Sequence, residues 1–355
     1  RREMAGRRAL APSVFTFALV AASALMLVVL ERRWLSRETK EGAPSPVERP
    51  GEQGGPEGDV GPEADALAEL LFGESELEVA WRARNASIAA GCARNALPRS
   101  LSSLPPGARS LLLRHVLVND EYRFLYCYVP KVACSNWKRV IKEFMIAVIR
   151  DSLNQAGKMD HKRDLLFLSD FTAEEIDYRL KHYYKFMFVR DPLERLLSAY
   201  RNKLGETVEY QRRIGSQILR KYRPNWQGGP ADDVTFTEFA NFIVDTLETS
   251  DPWRVDEHWA PATSLCQPMH HGIRPCSYNS LHADARAVLA MVGAPRGFAF
   301  PQRQSWYRPV TPQLHAYFLS TLPQGMLGEL TDRYKLDYLL FGFEMTDGLA
   351  LATAG

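Results

Sequence analysis

The 355-residue chain lacks the short motifs that define metal sites and nucleoside triphosphatases. Its five cysteines form no CxxC pair and no cluster with histidines, so the sequence does not indicate a metal site. No glycine-rich turn runs into Gly-Lys-Ser or Gly-Lys-Thr, which argues against a Walker A loop and a nucleoside-triphosphate kinase. No Asp-x-Asp motif is present either, which disfavours a glycosyltransferase that binds its metal through that motif. We therefore predict chemistry without a metal.

Long apolar runs are scarce, since only residues 9–30 form one. Its 22 residues are enough to cross a bilayer as a helix. The preceding residues 1–8 carry four arginines and one glutamate, so the positive-inside rule predicts a cytosolic tail there, expected to be incomplete because the chain starts at arginine. A cleaved signal peptide is the alternative, but the run is longer than a usual signal-peptide core and lacks a clean small-x-small site. We predict a retained transmembrane anchor and a type II topology.

Residues 31–96 are predicted to be a disordered luminal stem. Glycine and proline occupy 11 of the 24 positions from Glu41 to Ala64, and residues 41–80 hold 11 acids against one base. Such a composition cannot bury enough apolar surface to fold.

Two features agree with a luminal location beyond the anchor. The sequon Asn85-Ala86-Ser87 predicts glycosylation at Asn85. The five cysteines allow up to two disulfides and one remaining thiol, and the sequence leaves the pairing open. The luminal domain is predicted to cover residues 97–345, with a short tail at 346–355.

The stretch RFLYCYVPKVACSNW, residues 123–137, predicts a strand, a turn and the start of a helix. The apolar run from Phe124 to Val129 is typical of a buried strand, and Pro130 ends it. Lys131 then lies in the turn just before the helix. Because a helix N-terminus carries a partial positive charge, this lysine suits a phosphate or sulfate. A buried strand followed by a solvent-facing lysine is the alternative.

A second stretch, KFMFVRDPLERLLSAYRNK, predicts another strand-to-helix unit. Arg190 follows the buried strand 186–189, Asp191 can cap the next helix, and Pro192 suits its first position. Two such units imply an α/β fold with a parallel sheet whose ligands bind at the carboxyl ends of the strands. For Arg190 alone, an ion pair with Asp191 or Glu194 is the alternative.

Residues 181–225 hold 11 Lys or Arg and 4 acids, with aromatic residues between them. Such a surface attracts a polyanion. For a luminal chain we predict an acidic glycan rather than nucleic acid, and a solvated helix face is the alternative.

Taken together, YCYVPKVACSNWK and FVRDPLERLLSAYRNK resemble the Golgi carbohydrate sulfotransferases, in the branch of chondroitin and dermatan 4-O-sulfotransferases. The similarity runs from about Leu112 to Phe343 and includes MDH, DDVTF, EHW, LCQP and YKLDYLLF. It implies a P-loop-like sheet with flanking helices, and metal-free transfer of a sulfuryl group from 3′-phosphoadenosine 5′-phosphosulfate. The acceptor it implies is the 4-hydroxyl of N-acetylgalactosamine in dermatan or chondroitin sulfate.

The resemblance also implies a donor site in two halves. Lys131 would contact the bridging oxygen that leaves, while Arg190 and Ser198 would hold the 3′ phosphate. The first half comprises Lys131, Val132, Ala133, Cys134, Ser135, Asn136 and Trp137. The second half comprises Arg190, Asp191, Pro192, Leu193, Glu194, Arg195, Leu196, Leu197 and Ser198.

The general base is predicted to be His161, because related sulfotransferases place a histidine between the two donor loops. His258, next to Glu257, is the alternative, and either histidine could instead be a structural hydrogen-bonding group.

One segment departs from the family pattern, in which CxPC precedes an apolar strand. Here the chain reads CQPMHHGIRPCSYNSLHADA, so Met269 replaces the second cysteine and the apolar strand is missing. This predicts the loss of a core strand and of one disulfide. Cys276 is the alternative partner, in place of the cysteine that Met269 replaces. Two rival hypotheses are open: an inactive protein that binds the donor or a glycan, which this segment suggests, and a type II glycosyltransferase, which would share the anchor, the stem and the sequon.

Overall fold

A computed structural model describes residues 76–97, 100–150, 165–267, 272–295, 298–302 and 309–345. The predicted cytosolic tail, the anchor, residues 31–75 of the stem and the tail 346–355 lie outside these residues. In the part of the chain that is described, no helix is long and apolar enough to cross a membrane.

Four strands form one sheet in the order β1-β2-β3-β4. The strands are β1 Val116–Asn119, β2 Phe124–Cys127, β3 Tyr184–Val189 and β4 Arg274–Ser277. β2, β3 and β4 are parallel, whereas β1 runs antiparallel to β2. The prediction of a parallel sheet is thus wrong for β1, because the short connection of residues 120–123 permits only an antiparallel pair.

Helices surround this sheet. In chain order the α-helices are α1 Glu76–Arg94, α2 Pro106–His115, α3 Cys134–Arg150, α4 Ala173–His182, α5 Pro192–Lys203, α6 Val208–Tyr210, α7 Ser216–Tyr222, α8 Phe236–Thr249, α9 Ala262–Cys266, α10 Leu281–Met291, α11 Pro312–Ser320, α12 Met326–Arg333 and α13 Lys335–Phe341. A π-helical turn, Gln211–Gly215, joins α6 to α7.

Side-chain caps set the starts of four α-helices among the described residues, and one of them is Thr311 at α11. Thr172 and Thr235 form capping boxes at α4 and α8 with the glutamates three residues later. The carboxylate of Asp191 accepts hydrogen bonds from the amides of residues 193 and 194, and Pro192 takes the first position of α5. The predicted start of α5 is confirmed.

The core lies where α3 covers the sheet. Trp137, Val140, Ile141 and Phe144 form an apolar stripe on α3, and all four are fully buried. The ring of Trp137 packs on Phe186 with a centroid distance of 4.8 Å. A disulfide joins Cys127 at the end of β2 to Cys266 in α9, while Cys92, Cys134 and Cys276 form no disulfide. The alternative that Cys276 takes the place of the missing cysteine in a disulfide is therefore wrong.

Residues 76–94 contradict the prediction of a disordered stem up to residue 96. They form α1, which buries Trp81, Ile88 and Cys92 and packs against α13. Its Gly91 lies so close to Leu340 that an added Cβ would be 2.4 Å from Cδ2 of that leucine. Close packing at small residues and tertiary contacts stabilise this helix. Its own sequence is weakly apolar and shows no periodic pattern that would predict a helix.

The prediction that the divergent segment lacks a strand is also wrong. β4 pairs with β3 from Arg274 to Ser277, although only Pro275 and Cys276 are buried. A proline is tolerated here because β4 is the last strand in the order of the sheet.

Candidate functional site

The loop after β2 turns sharply before α3 begins. Lys131 and Ala133 adopt left-handed backbone conformations, with φ of 69° and 55°. Residues other than glycine rarely adopt this conformation, and when they do it is often at a binding site. The turn brings Cys134, Ser135 and Asn136, the first residues of α3, to the wall of a cavity. The N-terminus of this helix therefore gives the cavity a partial positive charge.

The ammonium of Lys131 is held at the same cavity. Its Nζ donates to Oδ1 of Asn202 over 3.0 Å, and Nδ2 of Asn202 donates to Glu206 over 3.0 Å. Both partners lie at the C-terminal end of α5 or just beyond it. The two predicted strand-to-helix units thus meet at Lys131.

The cavity has a volume of about 750 Å³ and is bordered by five parts of the chain. Its walls come from the loop after β2 with α3, the C-terminal half of α5, His258, the segment after β4, and Pro301. The predicted site residues among its lining are Lys131, Ala133, Cys134, Ser135, Asn136, Ser198 and His258. Further lining residues, which the sequence analysis did not identify, include Arg139, Arg201, Asn202, Lys203, Tyr278 and His282.

Arg190 is buried beside this cavity rather than in its wall. Its Nε donates to Oε2 of Glu194 over 3.1 Å, so the ion pair considered above is present. The guanidinium also lies over the ring of Tyr278, with Cζ 4.4 Å from the centroid. Its buried Nη1, however, has no hydrogen-bond partner among the described residues. A buried unsatisfied donor is costly, and an anion bound next to Tyr278 would satisfy it.

Arg195 holds the site together from within the core. The residue is 1% exposed, and its guanidinium donates to the carbonyl oxygens of Pro130, Glu257 and Ala260 over 2.8–3.0 Å. These bonds tie the loop before Lys131 to the segment that carries His258. Arg195 is therefore placed to position the two walls and does not line the cavity.

The remaining predicted donor-site residues are structural in position. Six of them are buried and absent from the cavity wall: Val132, Trp137, Pro192, Leu193, Leu196 and Leu197. Asp191 caps α5, and burial raises the pKa of its carboxyl group.

His258 is the one histidine of the two predicted base candidates that lies among the described residues. Its Nδ1 is 2.7 Å from Oδ1 of Asp256 and 3.1 Å from the hydroxyl of Tyr210. Because a carboxylate can only accept, Nδ1 carries the proton, and Nε2 is left to accept one. Burial, aided by the charge of Lys203, lowers the pKa of His258 although Asp256 raises it. The ring is thus neutral near pH 7, as a general base requires.

Glu257 is turned away from this pair. Its Oε2 lies 3.0 Å from Nε2 of His115 and accepts from the hydroxyl of Tyr128 over 3.1 Å. Burial raises the pKa of Glu257, but the hydrogen bond and charge of His115 outweigh it and lower the pKa to about 2. Asp256, which the sequence analysis did not identify, is therefore the partner of His258.

Three further predictions concern the base His161, the glycosylation site Asn85 and the basic segment 181–225. His161 lies outside the described residues. Asn85 lies on the exposed side of α1, while the hydroxyl of Ser87 donates to the carbonyl of Leu339 over 3.0 Å. In the predicted basic segment, several cations pair with nearby acids, as Arg223 does with Asp233 and Glu238.

Among the described residues, no group of three or more His, Cys, Asp or Glu side chains could hold a metal. The positive groups that line the cavity belong to lysine, arginine and a helix N-terminus. These groups suit a ligand with two or more anionic centres.

Comparison with known proteins gives the class to which this geometry belongs. The sequence profile of the sulfotransferase family matches residues 114–344, so the chain is a member of that family.

Among its relatives, carbohydrate sulfotransferase 14 of Homo sapiens is 47% identical over 348 residues, which cover 97% of this chain and 89% of the relative. Carbohydrate sulfotransferase 14 of Danio rerio is 44% identical over 95% of this chain and 88% of its own length. Carbohydrate sulfotransferase 11 of Danio rerio is 36% identical over 78% of this chain and 80% of its own length. No solved structure matches significantly. The predicted resemblance to carbohydrate sulfotransferases is confirmed.

Proposed function

We propose that the chain transfers a sulfuryl group from 3′-phosphoadenosine 5′-phosphosulfate to the 4-hydroxyl of N-acetylgalactosamine in dermatan or chondroitin sulfate. The observation that carries this proposal is the meeting of Lys131, the N-terminus of α3 and His258 at one cavity. Sulfuryl transfer needs a neutralised leaving phosphate and an acceptor hydroxyl that loses its proton. The cavity supplies groups for both tasks.

The residues present fit the donor. The donor supplies an activated sulfuryl group on a phosphate. Lys131 and the amides that begin α3 bind the phosphate from which it departs, so that the developing negative charge is stabilised. Ser198 and Arg190 bind the 3′ phosphate, and the buried Nη1 of Arg190 gains the partner that it lacks among the described residues.

The acceptor side is proposed to be governed by His258. Its Nε2 takes the proton of the attacking hydroxyl, while Asp256 holds Nδ1 and stabilises the imidazolium that forms. Arg139, Arg201 and Lys203 line the same cavity, and their charge favours an acidic glycan. His161 stays a candidate for the base.

The cellular setting of this reaction is part of the proposal. The chain is expected to be a single-pass type II protein of the Golgi membrane, with its domain in the lumen and a glycan on Asn85. Protection of the domain from protease in intact microsomes checks the topology. Digestion with a glycosidase should lower the mass of the parent chain but not of N85Q, which checks the glycan. A domain that protease digests in intact microsomes would overturn this part.

Incubation of the full chain with radiolabelled donor and a panel of acceptors tests the reaction. The panel comprises desulfated dermatan, desulfated chondroitin and, as a control without galactosamine, the unsulfated heparan precursor. Label in the first two only, recovered as 4-sulfated disaccharide after lyase digestion, is the expected result. A folded chain that labels none of them refutes the proposal.

A second hypothesis, an inactive protein that binds the donor or a glycan, rests on the divergent segment after Cys266. The pairing of β4 with β3 argues against it, because the divergent segment supplies a strand to the sheet. Calorimetry on the same preparation separates the two: binding of the donor product without any transfer favours the inactive protein.

A further inference from the structure

Asp284 is a buried carboxylate at which two distant parts of the chain meet. It lies in α10, is 0% exposed, and accepts hydrogen bonds from four groups. Its partners are Nε1 of Trp81 at 2.9 Å, Nη1 of Arg84 at 3.1 Å, the amide of Ser277 at 2.6 Å and the hydroxyl of Ser280 at 2.9 Å. A charge this deeply buried persists only when it is fully paired, so the four contacts act as one unit.

Two of these donors belong to α1, which precedes the residues matched by the family profile. Of the other two, Ser277 is the last residue of β4, and Ser280 belongs to the segment after β4, which lines the cavity. Arg84 reinforces the link, because its Nη2 is 3.4 Å from the hydroxyl of Ser280. The helix α1, which lies within the predicted stem, is thus bonded to one wall of the candidate site.

That wall contains Tyr278, which lies between Ser277 and Ser280. The amide of Tyr278 donates to the carbonyl of Val189 over 2.8 Å, directly before Arg190. Its ring lies against the guanidinium of Arg190, as described above. A shift of the segment would therefore change both the ring and the backbone that place Arg190.

We propose that α1 is a working part of the nucleotide site, in which Trp81 and Arg84, through Asp284, position Tyr278 and Arg190 for the 3′ phosphate. The inference deepens the proposed function and rests on it. Trp81, Arg84 and Asp284 are positioning residues, since they contact the wall and not the cavity.

The test is calorimetric binding of 3′-phosphoadenosine 5′-phosphate to the full chain and to R84Q, W81F and D284N. R94Q is the matched control, because Arg94 lies on the same helix and is exposed. The loss of one buried charged hydrogen bond predicts a dissociation constant about five- to twentyfold weaker in R84Q and D284N. W81F keeps an aromatic ring but removes the indole donor, so we expect about a two- to tenfold loss. R94Q should bind as the parent chain does.

A purely structural role would lower the fraction of folded protein without changing the dissociation constant of the folded part. Unchanged constants in R84Q and W81F, with only a lower Tm, would therefore overturn the inference. So would an equal weakening in R94Q, since the effect would then not pass through Asp284. If D284N does not fold, the two milder variants decide. If the parent chain fails to bind the nucleotide, the proposed function itself fails, which is a distinguishable result.

Discussion

The imidazole Nδ1 of His258 lies 2.7 Å from Oδ1 of Asp256, and this contact determines which ring nitrogen remains to accept a proton. Asp256 also accepts from the hydroxyl of Tyr210 over 3.0 Å, so its carboxylate is held from two sides. The ring orientation is therefore fixed by groups outside the cavity wall. A base that is pre-oriented in this way need not reorganise when an acceptor hydroxyl arrives.

Replacement of His258 by glutamine should lower the transfer rate by about 10²–10⁴, the usual contribution of a general base. Glutamine keeps a polar side chain of similar size, so the dissociation constant for the nucleotide should change little. Transfer assays with saturating donor check the rate, and calorimetry checks the binding. If H258Q retains most of its activity while H161Q loses it, the role belongs to His161.

Replacement of Asp256 by asparagine should move the acid limb of the pH profile to lower pH. Activity requires neutral His258, and it is lost as the pH falls through the pKa of this histidine, which burial already lowers below 6.5. The charge of Asp256 raises that pKa, so its removal lowers the pKa further. The measurement is kcat/KM for the acceptor between about pH 4.5 and 8, and a limb that stays or moves upward would contradict the assignment.

Replacement of Lys131 by alanine should reduce transfer by about 10²–10³, the usual effect of removing one group that stabilises developing charge. Alanine and lysine tolerate a left-handed φ equally poorly, so the backbone strain is unchanged and the Tm should stay within about 3 °C. K335A, at an exposed lysine of α13, is the matched control and should be fully active. A large fall in Tm for K131A would mean that Lys131 is structural.

Local chemistry made the second strand-to-helix unit predictable. Asp191 can accept from helical amides and Pro192 has no amide to lose, so the start of α5 follows from two adjacent residues. Thr172 and Thr235, each with a glutamate three residues on, fix two more helix starts in the same way. Such helix starts can be predicted without knowledge of distant contacts.

β4 and α1 could not be predicted because distant contacts stabilise them. β4 has only two buried residues, so its side chains contribute little to its stability. Its pairing with β3 stabilises it instead. In α1 the stabilising contacts are Trp81 and Arg84 with Asp284, about 200 residues along the chain. Such partners carry no local pattern in either segment.

The candidate site shows the same division. Lys131 could be recognised because it follows a strand and precedes a helix. Asp256 could not, since an acid two residues before a histidine is common and only the turn brings its Oδ1 to Nδ1. Arg139, four residues after Ser135, shares its side of α3 and could have been predicted from that spacing.

Reduction of the disulfide between Cys127 and Cys266 should destabilise the domain. The two residues are 139 positions apart, so the bond removes considerable freedom from the unfolded chain. Removal of such a bond usually lowers the free energy of unfolding by about 2–5 kcal/mol. The measurement is the Tm with and without reductant, and C127A/C266A is the control, because its Tm should be low already and insensitive to reductant. An equal response of both proteins would show that the bond does not stabilise the domain.

Replacement of Arg190 by glutamine should remove the preference for a 3′-phosphorylated nucleotide. The parent chain is expected to bind 3′-phosphoadenosine 5′-phosphate more tightly than adenosine 5′-phosphate. The reason is that a hydrogen bond from a buried guanidinium to a charged group contributes about 1.5–3 kcal/mol to the free energy of binding. In R190Q the ratio of the two dissociation constants should fall by about 10–100-fold. E194Q is the matched control, since both substitutions break the pair at 3.1 Å but only one removes the guanidinium. The two variants should therefore show a similar loss of Tm and differ in selectivity, and a ratio that falls equally in both would mean that Arg190 acts through Glu194 and not on the phosphate.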